Sequence, residues 1–280
     1  MLLRAENLAK RFGGVRAVQD VSFALAPGMV HAIIGPNGAG KTTLLNMLTG
    51  IYLPSEGRVF LEERELTGQQ PHRFAAAGIG RTFQNLQIFF NMSALENVMA
   101  GRWLHERGSF AAAALRLPQL RRAERHCRAE ALSLLDLVGL TRWADAASDA
   151  MPYGALKRLE IARALAAGPK LLLLDEPAAG LNPTETHEID RLIRELAARG
   201  ITIVLVEHNM KLVMGVSGHV IVLDEGRLLA EGEPREASLP MSWPISRISA
   251  GLRPAAGSSS SSRRGCVASA RAISRRLSAP

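Results

Sequence analysis

Residues 35–43 constrain the fold of this 280-residue chain more than any other segment. They read Gly-Pro-Asn-Gly-Ala-Gly-Lys-Thr-Thr, which fits the pattern of a phosphate-binding loop. The apolar residues 30–34 before the loop predict a strand, and a helix is predicted to begin near Lys41. A loop in this position turns backbone N–H groups and the positive end of a helix toward a bound phosphate. The segment therefore predicts an α/β fold with a phosphate site.

The side chains at the end of the loop predict contacts with a nucleotide. Lys41 is expected to reach the outer phosphates, and the hydroxyl of Thr42 is expected to ligate Mg²⁺. The full set of residues expected to contact the nucleotide here is Gly35, Pro36, Asn37, Gly38, Ala39, Gly40, Lys41, Thr42 and Thr43.

Two carboxylates follow a second apolar run, at residues 171–174. Together with the phosphate loop, they predict that Asp175 holds Mg²⁺, directly or through water, and that Glu176 polarises the attacking water. Neighbouring residues at a strand end point in different directions, so the two roles need not compete. Because no acceptor-binding motif is evident, the expected products are ADP and phosphate.

The remaining patterns predict strands in the first sixty residues, a helical region and a return to strands. Asn182 and Pro183 predict an N-cap and first helical turn between two buried strands, which completes a βαβ unit. Ser93 and Glu96 have capping-box spacing. The predicted strands cover residues 3–8, 21–25, 30–34, 58–61, 171–174, 201–206, 220–223 and 228–230, the last two as a hairpin, and the helical pattern covers about residues 71–140.

The charge of the chain is uneven. The formal net charge of +8 first suggests a nucleic-acid or membrane partner, but residues 237–280 contain seven arginines and no acid. The first 236 residues hold 27 basic and 26 acidic residues, which argues against a nucleic-acid partner. Residues 237–280 also contain 12 serines, and both a disordered tail and a frameshift near Ala237 are compatible with this composition.

The chain shows no sign of membrane insertion or export. Its longest aliphatic runs are far shorter than the ~20 residues that span a bilayer, and its N-terminus lacks the features of a signal peptide. Cys127 and Cys266 lie far apart, which argues against a disulfide or metal framework and fits a reducing cytoplasm.

Further motifs occur in a fixed order along the chain: Arg-Thr-Phe-Gln-Asn at 81–85, Tyr-Gly at 153–154, Arg-Leu-Glu-Ile-Ala-Arg at 158–163, Leu-Asp-Glu-Pro at 174–177, Ala-Gly-Leu-Asn at 179–182 and Glu-His-Asn-Met at 207–210. With the phosphate loop, they resemble the ATP-binding subunits of ABC transporters over residues 1 to about 236. They look most like the ATPases of branched-chain amino-acid importers. The resemblance implies a P-loop NTPase of ABC ATPase type, with a mostly parallel core sheet, an N-terminal antiparallel β part and a helical subdomain at about residues 88–156.

The resemblance also implies roles for single residues. Phe12 matches the aromatic residue that stacks on adenine, with a core phenylalanine as the alternative. Gln84 matches the glutamine that contacts Mg²⁺ and the attacking water, where the membrane subunit docks. His208 matches the histidine that contacts the γ-phosphate, and a structural hydrogen-bond partner is the alternative.

In relatives, two ATPase subunits face head to tail, and the signature segment of one subunit completes the ATP site of the other. Residues 151–155 occupy this position, and Tyr153 and Gly154 are the expected nucleotide contacts. Pro152 offers neither a hydroxyl nor a backbone N–H group at this point. We therefore expect this chain to contribute weakly to the site of its partner, while its own phosphate loop is complete.

The implied function is to energise an importer with ATP and Mg²⁺. The implied partners are transmembrane permease subunits, a second ATPase subunit that is homologous or identical, and indirectly an extracytoplasmic solute-binding protein, with no nucleic acid. The implied location is peripheral, at the cytoplasmic face of the plasma membrane. Urea or amide import, lipid export and a soluble ABC ATPase acting on DNA or ribosomes remain alternatives.

The arginines at 116, 121, 122, 125 and 128 form either a solvated helical face or a face near acidic lipid.

Overall fold

A computed structural model describes residues 1–102, 118–234 and 253–254 of the chain. Within these ranges the strands form two sheets. The strands are β1 Leu3–Phe12, β2 Val15–Leu25, β3 Val30–Ile34, β4 Glu56–Leu61, β5 Arg64–Glu65, β6 Ile79–Arg81, β7 Leu171–Asp175, β8 Thr202–Val206, β9 His219–Asp224, β10 Arg227–Gly232 and β11 Arg253–Pro254.

The core sheet has the strand order β11-β10-β9-β3-β8-β7-β6. Its strands from β9 to β6 run parallel, and β10 and β11 continue one side in antiparallel orientation. The three central strands β3, β7 and β8 are buried along their whole length, which explains why they read as unbroken apolar runs. A smaller antiparallel sheet has the order β2-β1-β4-β5, so the predicted division into parallel and antiparallel parts is confirmed.

The helices cover the core sheet and extend beyond it. They are α1 Lys41–Leu48, α2 Pro71–Ala77, α3 Ala94–Gly101, α4 Pro118–Leu137, α5 Tyr153–Ala166, α6 Pro183–Ala198 and α7 Met210–Val216, with short 3₁₀ turns at Thr141–Trp143 and Ser148–Ala150. The predicted capping box starts α3 at Ser93, and the predicted N-cap Asn182 starts α6, where Glu185 completes a capping box as well. One apolar cluster joins α3, α4 and α5 to one face of the sheet, and a second cluster joins α1 and the antiparallel sheet to the other.

The region at about residues 71–140, where the sequence predicts helical structure, also contains a strand that the prediction lacks. Helix α2 ends at Gly78, whose φ of 105° leaves the helical region. The next three residues form β6, which pairs in parallel with β7, and no helix follows until α3. This strand is short, and its pairing depends on residues almost a hundred positions later in the chain, so local periodicity does not show it.

Parts of three predictions lie outside the described residues. These are most of the tail at 237–280, Cys266, Arg116 and the side chain of Arg121. The short strand β11 pairs with β10. Arg122, Arg125 and Arg128 on α4 are exposed, as both interpretations of the basic face require. The domain boundary near residue 236 stays a prediction.

Two histidines face each other on neighbouring strands of the core sheet. His31 on β3 and His219 on β9 are register partners, and their Nδ1 atoms are 3.2 Å apart. Because Nε2 of His31 lies 2.9 Å from the carbonyl oxygen of Ala26, neutral His31 donates there and accepts from His219 through Nδ1. Burial, together with the neighbouring His219, lowers the pKa of His31 to about 4, although the hydrogen bond to the Ala26 carbonyl acts in the opposite direction.

This pair predicts that the fold loses stability as the pH falls from about 6.5 toward about 4. The unfolded chain protonates His31 at its ordinary pKa, whereas the folded chain does so only near the lowered pKa, so the loss approaches about 3 kcal/mol. Urea unfolding over this pH range measures it. His31→Asn is expected to flatten the pH dependence, whereas His72→Asn at an exposed position is expected to leave it unchanged. An equally steep dependence in both variants would contradict the assignment.

Candidate active site

The predicted phosphate loop joins β3 to α1, and its backbone requires glycine. Gly38 and Gly40 have φ values of 82° and 93°, in the left-handed region that other residues rarely adopt. A Cβ atom on Gly40 would lie 2.4 Å from the carbonyl oxygen of Ala17 on β2. The N–H of Gly226, in the turn between β9 and β10, donates to the carbonyl of Ala39 at 3.1 Å. The antiparallel sheet and the β9–β10 hairpin therefore hold the loop together.

Lys41 is the first residue of α1, and its side chain folds back over the loop. Its Nζ donates to the carbonyl oxygens of Gly35 at 2.8 Å and Pro36 at 3.0 Å. Burial lowers the pKa of Lys41, while the carboxylates of Glu176 and Asp175 act in the opposite direction. A buried ammonium inside a glycine-rich loop forms strong hydrogen bonds with anionic oxygen, so this arrangement fits a phosphate group.

The carboxylate of Glu176 lies between the other two side chains expected to take part in catalysis. Its Oε2 accepts from Nε2 of Gln84 at 3.1 Å, and its Oε1 lies 3.0 Å from Nε2 of His208. These residues follow β7, β6 and β8, which are adjacent parallel strands whose carboxyl ends meet at one edge of the sheet. The structure thus brings together Glu176, Gln84 and His208 from distant parts of the sequence.

The backbone of Glu176 is itself unusual. Its φ is 51°, a value that is uncommon for a residue with a side chain and often marks a functional site. The N–H of Glu176 donates to the carbonyl of Val206 at 2.9 Å, which ties the residue to the end of β8. The chain therefore turns sharply where the carboxylate must be placed.

Glu207 supports this edge of the site and was missed in the sequence. The side chain is buried, and its two oxygens accept from the N–H groups of Ala178 at 2.8 Å and His208 at 3.1 Å. Burial raises the pKa of Glu207, whereas these backbone donors lower it. Glu207 thus connects the segment after Glu176 to the start of the His208 loop. Its position before His208 was visible in the sequence, but its partners were not.

Asp175 pairs with Arg81, another residue whose role the sequence did not show. Nη2 of Arg81 lies 3.1 Å from Oδ2 of Asp175, and the two side chains are 6% and 3% exposed. Burial raises the pKa of Asp175, while the guanidinium of Arg81 lowers it by stabilising the charged form. The two neighbouring carboxylates therefore have different hydrogen-bond partners, as the alternation at a strand end predicts.

Phe12 lies at the end of β1 and is 42% exposed. Its ring packs edge to face against Tyr52 at a centroid distance of 5.3 Å, and Nζ of Lys10 lies 5.1 Å from its centroid. This exposure fits a stacking surface better than the alternative of a core phenylalanine. Among the described residues, no hydrogen bond or ring contact joins Phe12 to the cluster around Glu176.

Tyr153 and Gly154 begin α5, and Pro152 is the N-cap of this helix. Tyr153 is 45% exposed, and Pro152 makes no side-chain hydrogen bond to the helix. A Cβ atom on Gly154 would lie 2.4 Å from Oε1 of Glu185, so glycine permits the close approach of α6. Among the described residues, no contact joins Tyr153 or Gly154 to Lys41 or Glu176.

The chain is similar to ATP-binding proteins over most of its length. Residues 18–179 match the ABC transporter family. The chain is 42% identical over 236 residues to the high-affinity branched-chain amino acid transport ATP-binding protein BraF of Pseudomonas aeruginosa, and 42% identical over 236 residues to its LivG counterpart of Escherichia coli. Each alignment covers 84% of this chain and 92% of the relative.

Solved structures extend the comparison to the fold. A nucleotide-free ATP-binding cassette from an ABC transporter matches with a TM-score of 0.73 and 35% identity, over 84% of this chain and 92% of that one. A dimeric cassette in a post-hydrolysis state bound to ADP and Pi matches with a TM-score of 0.71 and 26% identity, over 84% of this chain and 100% of that one. These matches confirm the expected ABC ATPase fold, and the chain belongs to the ABC transporter family as an ATP-binding cassette with ATPase activity.

Proposed function

We propose that this chain hydrolyses ATP to power an importer of branched-chain amino acids. The observation that carries the hydrolytic part is the position of the Glu176 carboxylate, which Gln84 and His208 contact from two sides. The similarity to BraF and LivG, whose names state branched-chain amino acid transport, supports the solute class.

In the proposed reaction each of these groups has one task. Lys41 binds the outer phosphate oxygens with its ammonium group. Glu176 accepts a proton from the attacking water at a carboxylate oxygen, and the amide of Gln84 holds this carboxylate in place. The imidazole of His208 contacts the γ-phosphate. Reaction geometry therefore depends on side chains from four separate segments.

The residues present also fit Mg²⁺, which supplies charge neutralisation for the phosphates when it is bound. The proposed ligands are the hydroxyl of Thr42, the carboxylate of Asp175 and the amide oxygen of Gln84. All are hard oxygen donors of the kind that Mg²⁺ prefers. Among the described residues, no group of three or more His, Cys, Asp or Glu side chains is placed to hold a metal ion. In nucleotide sites Mg²⁺ is bound by one or two carboxylates together with substrate phosphates and water.

The remaining nucleotide contacts are proposed for the loop backbone and for two exposed aromatic side chains. The loop contacts comprise residues 35–43. Phe12 stacks on the adenine, and Tyr153 with Gly154 contacts the nucleotide of a second subunit in a head-to-tail dimer. The dimeric form of the similar cassette bound to ADP and Pi supports this assembly. Because Pro152 lacks a donor, this chain contributes less to the site of its partner than to its own.

Permease subunits are proposed to dock beside Gln84. Phe83, Phe89 and Phe90 are 37%, 47% and 48% exposed, although aromatic side chains are normally well buried. The loop that carries them is firmly held, since Asn97 exchanges hydrogen bonds with the backbone of Phe89 at 2.9 and 3.0 Å. Rigid, exposed aromatic residues are typical of protein interfaces.

Docking to permease subunits would place this chain at the membrane. The cassette comprises residues 1–236, with its helical subdomain at about 88–156, and it lies peripherally at the cytoplasmic face of the plasma membrane. An extracytoplasmic solute-binding protein acts indirectly through the permease, and nucleic acid is not a partner. No helix in the described ranges is both long and apolar enough to cross a membrane.

Uptake by the assembled transporter tests the solute. The full chain is co-expressed with the permeases of its own gene neighbourhood, and the purified complex is reconstituted into vesicles with its solute-binding protein. We expect ATP-dependent uptake of leucine, isoleucine or valine. Uptake of urea or short amides alone would overturn the proposed solute class, and ATP-dependent release of lipid would favour the lipid exporter. The similarity to LptB of Acidithiobacillus ferridurans, 38% identical over 84% of this chain and 91% of the relative, makes the last comparison necessary.

A further inference from the structure

The guanidinium of Arg81 lies in the interior between α1, β6 and β7. Its Nη1 donates to Oδ1 of Asn46 at 2.6 Å and to Oγ1 of Thr49 at 3.2 Å, both at the C-terminal part of α1. Its Nη2 donates to Oδ2 of Asp175 at the end of β7. Arg81 therefore bridges a helix and a strand that are far apart in sequence.

The two bridged elements are those that carry the proposed metal ligands. Thr42 is the second residue of α1, and Asn46 follows it on the same face one turn later. Asp175 is the last residue of β7. Any change in the position of α1 relative to β7 would thus change the distance between Thr42 and Asp175.

The bridge is poorly explained by stability alone. The side chain of Arg81 is 6% exposed, and its Nε has no hydrogen-bond partner among the described residues. A buried charge with an unsatisfied donor is unfavourable, and buried ion pairs contribute little net stability compared with apolar packing. A lysine would keep the charge, but its single ammonium group lacks the planar geometry that reaches acceptors on both sides.

We propose that Arg81 is a positioning residue that fixes Asp175 relative to Thr42 and thereby sets the affinity for the divalent cation that accompanies ATP. Because Arg81 engages Oδ2, Oδ1 is the oxygen of Asp175 that would ligate the cation. This inference rests on the proposed ATPase function and adds a residue to it. The guanidinium of Arg81 also lies 4.8 Å from the ring centroid of Phe83, the residue before Gln84.

The test measures metal affinity separately from turnover. The full chain is saturated with a non-hydrolysable ATP analogue and titrated with Mn²⁺, whose free and bound forms are distinguished by electron paramagnetic resonance. We expect Arg81→Met to weaken Mn²⁺ binding by about 10- to 100-fold, the range for groups that orient metal ligands. Arg81→Lys is expected to recover only part of this affinity. Binding of the analogue in the presence of a chelator is expected to be unchanged in both variants.

Arg102→Met is the matched control. Arg102 is another mostly enclosed arginine with one acidic partner, Glu130, and it lies at the end of α3. Its removal is expected to leave Mn²⁺ affinity unchanged. The positioning role would be overturned if Arg81→Met bound Mn²⁺ as tightly as the wild type. It would also be overturned if Arg81→Met lost as much affinity for the ATP analogue in the presence of a chelator as it lost for Mn²⁺.

A second variant covers the case in which Arg81→Met does not fold. The double substitution Asn46→Ala and Thr49→Val removes the acceptors on α1 and leaves both Arg81 and Asp175 in place. It is expected to weaken Mn²⁺ binding in the same direction by a smaller factor, and wild-type affinity in a folded double variant would overturn the inference. If the wild type itself shows no Mn²⁺ site that depends on the nucleotide, the proposed Mg²⁺ and ATP chemistry fails as well.

Discussion

Replacing Glu176 with Gln is expected to lower ATP turnover by about 10²- to 10⁴-fold, which is the contribution of a general base. The amide has nearly the same shape as the carboxylate but does not accept the proton of the attacking water at neutral pH. The phosphate loop and Lys41 are unchanged, so ATP binding is expected to persist. Steady-state phosphate release and equilibrium binding of ATP measure the two properties separately.

Glu62→Gln provides the control for this substitution. Glu62 is also a glutamate with a basic partner, Lys170 at 2.7 Å, but both side chains are 54% exposed and lie on the surface. Removing this carboxylate is expected to leave turnover unchanged. A loss of less than about tenfold in Glu176→Gln would show that another group removes the proton. If ATP affinity and turnover fell by the same factor, the main role of Glu176 would be to bind ATP in the ground state rather than to assist hydrolysis.

Gly40→Ala is expected to destabilise the nucleotide-free fold by about 3 kcal/mol, because left-handed strain and overpacking add at this position. The φ of Gly40 is 93°, and its added Cβ atom would meet the carbonyl oxygen of Ala17 at 2.4 Å. Relief of this contact requires the loop to move away from β2, so ATP affinity is expected to fall as well. Urea unfolding and ATP titration measure both effects.

Gly200→Ala separates strain from overpacking. Gly200 has a φ of 87°, close to that of Gly40, but a Cβ atom there would meet nothing within 4 Å. The expected loss of stability is therefore only about 1 kcal/mol, with ATP affinity unchanged. Similar losses in both variants would mean that backbone conformation alone requires glycine at the loop, and that the contact with β2 is unimportant.

The sequence was most informative where a pattern is local. The strand at 30–34, the helix from Lys41 and the capping residues Ser93 and Asn182 all depend on neighbouring residues, and the structure confirms each of them. That Glu176, Gln84 and His208 lie close together could be expected from the family resemblance and from the predicted parallel sheet. Their individual roles stay predictions.

The sequence did not show contacts between distant buried residues. Nothing around Arg81 indicates that its partners are Asn46, Thr49 and Asp175, since a single arginine before a Thr-Phe-Gln motif has no periodicity to interpret. Strand β6 was missed for the same reason, because three residues carry little signal without the strand they pair with. Such features depend on tertiary packing, which local propensity does not encode.

The pairing of β3 has a consequence for how the protein is made. β3 ends where the phosphate loop begins, but its two neighbours in the sheet are β8 and β9, at residues 202–206 and 219–224. At typical rates of translation, these partners leave the ribosome roughly ten to thirty seconds after β3 does. During this interval β3 has no neighbouring strands to pair with, and the phosphate loop lacks its contact with the β9–β10 hairpin. The nascent chain therefore depends on chaperones or on transient packing until its last core strands are synthesised, and ATP stabilises it only afterwards.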